Sequence, residues 1–159
     1  MPTMAERTAM IAAIAALPDA LERAVAGLND AQLDTPYRDG GWTVREVVHH
    51  LADSHMNAFL RMKWMLLEEN FTVKPYDQDR WAASPECWLP VGPALLLVRG
   101  LHERWTAMLS ALTTEGEWNR SAFHPERGTV TLDGMLAIYA GHGAKHCGQI
   151  LGLRERMRW

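Results

Sequence analysis

Four stretches of this chain carry apolar residues at the spacing of an α-helix, and no comparably long stretch alternates them at the spacing of a strand. That pattern constrains the fold most, because an apolar stripe on a helix has to be covered by another element. The first stripe is Met10, Ile14, Leu17, Leu21, Ala24, Val25 and Leu28. Thr3 and Glu6 precede it as a capping box, and Pro18 within it predicts a kink about a turn earlier. The second opens at Thr43 and Glu46, again a capping box, behind Trp42. It runs through Val44, Val47, Val48, Leu51, Ala58, Phe59, Met62, Met65 and Leu66 to about Asn70. The third, Val91 to Leu112, shows Leu95, Val98, Leu101, His102, Trp105, Met108 and Leu109. The fourth runs from Leu132, behind a Thr131 cap, to about Met157, with Met135, Leu136, Tyr139, His142, Gly143, His146, Ile150 and Leu153 on one face. The expectation is an all-α fold, a four-helix bundle.

At 159 residues the chain has the length of a single domain, taken as 1–159. A formal charge of -3 gives no footprint for nucleic acid or an anionic membrane. No apolar run approaches the ~18 residues of a membrane span, and the opening MPTMAERTAM lacks a signal-type stretch. Two cysteines, Cys87 and Cys147, make no disulfide framework and lack metal-site spacing. Together these point to a cytoplasmic protein. Seven tryptophans stand out; large aromatics fill cores and interfaces, so some are expected to line a pocket or a dimer contact.

The segments between the stripes are unequal. Asn29 to Gly41 is turn-rich, and Phe71 to Pro90 is a long connection holding Pro75, Pro85 and Pro90. Connections that long tend to be functional or to cover something. This one reads as a lid, a dimer arm or simple packing. A polar crossing centred on His124-Pro125-Glu126-Arg127-Gly128 follows the third stripe, with Thr129-Val130-Thr131 as a short extended piece. Gly141, Gly143, Gly148 and Gly152 each weaken the fourth helix by roughly 0.5–1 kcal/mol relative to alanine, which close packing against a neighbour would justify.

The chemistry lies in the histidines. His142 and His146 stand four apart on the apolar stripe, so both side chains leave one helix face a turn apart. Burying two imidazoles is costly unless each finds a partner, which a hydrogen-bond network or a single metal ion would supply. The second helix offers a third ligand from His49-His50. His50 shares a face with Val47, Ser54 and Ala58, whereas His49 groups with Arg45, Asp53 and Met56; a modest rotation would exchange them. Three protein ligands with one open position describe a catalytic site. Asp53, three residues after His50, stands either as a second-layer partner orienting a ligand or as a solvated residue. His55 reads as a partly buried polar contact, His102 as a core position without a metal-spaced partner, and His124 as a loop residue near the mouth of the site. Histidine-rich ligation suits zinc, nickel, iron or copper.

Gly41-Trp42-Thr43-Val44-Arg45-Glu46-Val47-Val48-His49-His50-Leu51-Ala52-Asp53-Ser54-His55-Met56-Asn57 resembles the second helix of the DinB/YfiT-like superfamily. Lys74-Pro75-Tyr76-Asp77 followed by Trp81, then His124-Pro125-Glu126, Tyr139 and Gly141-His142-Gly143-Ala144-Lys145-His146, extend the likeness to the YfiT branch over nearly the whole chain. The resemblance implies a four-helix bundle, commonly a homodimer, with a divalent metal, zinc or nickel first, held by His50, His142 and His146 plus water. It implies a metal-dependent hydrolase acting on a small molecule. Relatives that transfer bacillithiol or a similar low-molecular-weight thiol imply an S-transferase as the alternative, and a non-catalytic metal- or ligand-binding stress module is the second. Hydrolysis wants a general base beside the metal, and no carboxylate falls on the histidine face, Asp53 being nearest in sequence.

Overall fold

The computed structural model describes residues 1–159. Its four long helices are α1 (Met4–Val25), α3 (Val44–Leu67), α5 (Gly92–Ser110) and α7 (Leu132–Met157). Short helices α2 (Asp30–Leu33), α4 (Gln78–Ala82) and α6 (Glu115–Trp118) and a 3-10 turn (Pro85–Trp88) sit in the connections. β1 (Ser121–His124) and β2 (Gly128–Thr131) pair antiparallel as a small hairpin, of which Thr129–Thr131 was the part visible in the sequence. Both expected capping boxes form: Thr3 with Glu6, and Thr43 with Glu46. Thr131 caps α7 by accepting from the Gly134 N–H at 3.1 Å.

Helix neighbours do not follow chain order. α1 packs on α7 and α5, and α3 packs on α5 and α7, so α1 lies diagonally across from α3, and α5 from α7. The core divides into two ends. At one, the C-terminal half of α1 meets the N-terminal halves of α3 and α5 and the C-terminal half of α7, through Leu21, Val47, Leu51, Val98 and Ile150. At the other, Ile14, Met62, Trp105, Leu109 and Leu136 pack together. α3 and α5 therefore run parallel, and the chain leaving α3 must travel back along the bundle, about 36 Å for a 24-residue helix, before α5 can begin. That return explains the length of the Phe71–Pro90 connection.

Arg7, fully buried on α1, ties one end together. Its guanidinium donates twice to Asp133 at the start of α7 (2.9 and 2.8 Å) and twice to Glu115 (2.6 and 2.9 Å). At the other end Arg45 donates to Asp34, Asp30 and the Leu89 carbonyl, pinning the α1–α3 connection against α3. Gly143 accounts for one of the α7 glycines: a methyl there would overlap the buried Leu17 side chain of α1. Gly141 and Gly148 face open space, so close packing does not explain them. Of the small residues Ala137, Ala140, Ala144 and Cys147 on α7, only Cys147 is buried in the core, while Ala137 and Ala144 are exposed.

Candidate metal centre

Between the two core ends runs a layer of imidazoles. α3 contributes His50 and α7 contributes His142 and His146, one donor atom from each lying within 4.8 Å of the others. Their rings pack at centroid distances of 5.5 Å (His50–His142), 5.0 Å (His50–His146) and 4.6 Å (His142–His146). Trp42, held at the mouth of α3 by the capped turn, covers them, 4.5 Å from His50 and stacked on His146 at 6.3 Å. The two adjacent histidines point apart: His50 joins the cluster, whereas His49 Nε2 donates to the Leu89 carbonyl at 3.2 Å, outside it.

Burial disfavours the charged form of each of these rings. Desolvation, followed by the neighbouring imidazoles, pushes His50 down to about 3. Desolvation, then His146 and Lys145, pushes His142 down to about 4. His146 is lowered by burial as well, against a hydrogen bond to Gln149 that raises it. A neutral imidazole has a lone pair to give, which a charged one does not. The donor set therefore fits a borderline divalent cation. Zinc–nitrogen bonds of about 2.1 Å put tetrahedral donors about 3.4 Å apart, which side-chain rotations of about an ångström would reach from the present spread.

A second layer backs two of the three. His146 Nδ1 donates to Gln149 Oε1 at 2.8 Å. His142 Nδ1 lies 3.0 Å from His55 Nε2, and His55 Nδ1 lies 2.9 Å from His102 Nε2. His55 is thus no half-buried polar contact: it is completely enclosed, as is His102. Asp53 does not take the orienting part its spacing allowed. It is half-buried and gives no side-chain hydrogen bond to any histidine, and desolvation with the nearby Glu86 charge raises it to about 6.

Two cavities open on the cluster. One of about 440 Å³ is lined by all three histidines with Arg38, Asp79 and Lys145. The other, about 430 Å³, reaches His142 from the side of Tyr76, Tyr139, Arg61 and Arg127, and His124, which ends β1 rather than lying in a loop, is also in its lining. Gln78 belongs to both walls, so the Phe71–Pro90 connection forms part of the roof. A larger cavity of about 590 Å³, near Lys63, Met108 and Arg120, touches none of the histidines. Asp79 is the residue the sequence hid, because it lines the cavity from α4, a five-residue helix too short to show a periodicity. Neither cysteine offers a nucleophile: burial pushes the Cys147 thiol up to about 11 and raises Cys87. No helix is long and apolar enough to cross a membrane.

Residues 13–150 match the DinB superfamily. A Geobacillus kaustophilus protein named "Putative metal-dependent hydrolase GK0616" is 51% identical over 152 residues, covering 94% of this chain and 84% of the relative. A Bacillus cereus relative with the same functional name is 46% identical over 143 residues, 90% of this chain and 82% of its own. Among solved structures, YfiT from Bacillus subtilis superimposes with a TM-score of 0.96 at 40% identity, covering 100% of this chain and 91% of that one. It is described as "a probable metal-dependent hydrolase with an unusual four-helix bundle topology".

Proposed function

Because this chain belongs to the DinB superfamily, we propose that it is a metal-dependent hydrolase of small molecules, with a divalent ion, zinc or nickel first, held by His50, His142 and His146. The observation that carries the reading is the cluster itself: three imidazoles from two helices, with donors inside 4.8 Å and open cavities beside them. The names of the relatives agree with it. When bound, the ion supplies Lewis acidity.

The chain's own residues divide the remaining work. Asp79 is the carboxylate on the wall shared by the three histidines, and it serves as the proton acceptor for the attacking nucleophile. Lys145 and Arg38 line that same wall and oppose negative charge developing on a carbonyl oxygen. Trp42 shields one side of the ligands from water. The presence of Asp79 favours hydrolysis over thiol transfer, in which the co-substrate brings its own nucleophile.

The test is metal content of wild type beside a His142→Ala/His146→Ala variant, followed by an ester and amide panel with and without added thiol. About one ion per chain, lost in the variant, with turnover in the absence of thiol, is expected. Absence of metal after adding back zinc or nickel would refute the site. Turnover only with thiol would replace hydrolysis by S-transfer.

A further inference from the structure

Pro18 lies inside α1 and has no N–H to give to the carbonyl of Ile14, four residues earlier. That carbonyl instead faces His102 Nδ1 at 2.7 Å. A carbonyl oxygen only accepts, so the proton of the neutral His102 ring sits on Nδ1 and its Nε2 is a bare acceptor. The 2.9 Å contact to His55 then needs its proton from His55 Nδ1, which leaves His55 Nε2 bare. The 3.0 Å contact beyond it needs its proton from His142 Nδ1, which leaves the His142 Nε2 lone pair unused.

We infer that this chain of contacts, beginning at the carbonyl Pro18 frees, sets the tautomer of His142 and so makes His102 and His55 positioning residues for the metal centre. Each link admits one direction only, because a bare nitrogen cannot face another bare nitrogen across 3 Å without losing the bond.

The surroundings hold the rings in place. Trp105 and Tyr139 stand edge-on to His55 at 5.7 and 5.3 Å, and Trp105 edge-on to His102 at 5.6 Å. The Trp105 indole N–H is itself engaged by Met62 Sδ at 3.2 Å. Turning His55 over would break both of its nitrogen contacts at once. Both rings are enclosed in the core, His55 at 0% and His102 at 1% exposure, so the contacts to neighbouring rings and the Ile14 carbonyl are the ones their nitrogens make. The third ligand face agrees: His146 gives its Nδ1 proton to Gln149, also leaving Nε2. α7 thus offers two Nε2 lone pairs from consecutive turns, each fixed from behind.

The use of that lone pair rests on the metal reading above; the tautomer itself does not. Long-range proton–nitrogen correlation spectra of histidine-labelled, metal-free protein at neutral pH read the tautomers directly. The expected result is Nδ1–H for His55, His102 and His142 alike. His142 in the Nε2–H form would overturn the inference. His102→Phe keeps a ring but removes the acceptor, so His142 should become a mixture of tautomers and zinc affinity should fall about 10–100-fold. His102→Gln, whose amide oxygen can accept from His55, should retain most of that affinity, which a merely space-filling role would not predict. Unchanged zinc affinity and an unchanged His142 signal in His102→Phe would also overturn it. Should that variant fail to fold, the wild-type spectrum decides alone. Tautomers as expected in a protein that binds no zinc would uphold the chain and refute the metal centre.

Discussion

Gly143 lies between two of the proposed ligands, and the pairing of α7 with α1 depends on it. Replacing it with alanine sets two effects against each other. A helical alanine is favoured over glycine by about 1 kcal/mol. The new methyl, however, falls on the side chain of Leu17, which is only 5% exposed and has little free space to retreat into. Overpacking of that kind costs about 1–3 kcal/mol. The net for Gly143→Ala is a loss of about 1 kcal/mol, a drop in Tm of about 3 °C at this chain length.

The decisive comparison is made in a Leu17→Ala background. That change alone should cost about 2–4 kcal/mol through the cavity it leaves. Gly143→Ala added to it meets no obstruction, and the full ~1 kcal/mol of helix propensity should appear as a gain. The same substitution thus changes sign between backgrounds, a coupling of about 2 kcal/mol, well above the additivity error for independent sites. Urea unfolding of the four metal-free proteins, with equal slopes, measures it. A gain of about 1 kcal/mol from Gly143→Ala in both backgrounds would refute close packing of α7 on α1 at this point.

Arg7→Met should cost about 3–5 kcal/mol in chemical denaturation, because it leaves the buried Asp133 carboxylate unpaired; a loss below 1 kcal/mol would show that water reaches that carboxylate. In the metal-free protein, burial lowers His49, His50, His55, His102, His142 and His146, so the unfolded chain binds more protons below pH 6.5 and stability falls as pH falls, by up to about 1.4 kcal/mol per pH unit for each. Asp53, raised to about 6 by burial, opposes this with one proton, so a Tm that rises from pH 4.5 to 7 is expected and a flat profile refutes the buried neutral layer. Pro18→Ala should raise stability, by up to about 3 kcal/mol from propensity, yet weaken zinc binding, because the restored N–H competes with His102 for the Ile14 carbonyl. Asp79→Asn should leave metal content unchanged and reduce hydrolysis by about 10²–10⁴-fold; undiminished turnover would remove Asp79 from the mechanism.

The helices were legible because their signals are local. Thr3/Glu6 and Thr43/Glu46 mark two N-termini through contacts three residues apart, and the four stripes end within about three residues of where the sequence placed them. The diagonal arrangement was not legible, since helical periodicity says which face is buried but not against which partner. The same division runs through the site. His142 and His146 are a helix-local pair, and Gln149, three residues beyond His146, belonged to the same signal and went unread. Choosing His50 over His49 required the rotation of α3, which Leu89, brought back by the long connection, makes plain. His55 and His102 meet only because α3 and α5 run side by side, and no spacing in the sequence records that. Pro18 was visible as a helix breaker, but the histidine that takes up the carbonyl it leaves without a backbone donor was not.

Three departures from good helix design in this chain point at one layer. A proline inside α1 removes a backbone donor. A glycine inside α7 sits between the two histidines of that helix and lets α1 approach them. Two further histidines, which ligate nothing in the proposed centre, replace hydrocarbon in the fully buried core. Any one of these could be tolerated by an ordinary bundle at a cost of a few kcal/mol. Their convergence is harder to attribute to packing, because apolar residues at 55 and 102 beside Trp105 and Met62 would build a more stable core from the same helices. The proline frees a carbonyl, the carbonyl orients His102, and the sequence of contacts ends on His142. Local rules broken together along one line of contacts are what a functional site demands of its scaffold. A bundle selected for stability alone would have no reason to keep them.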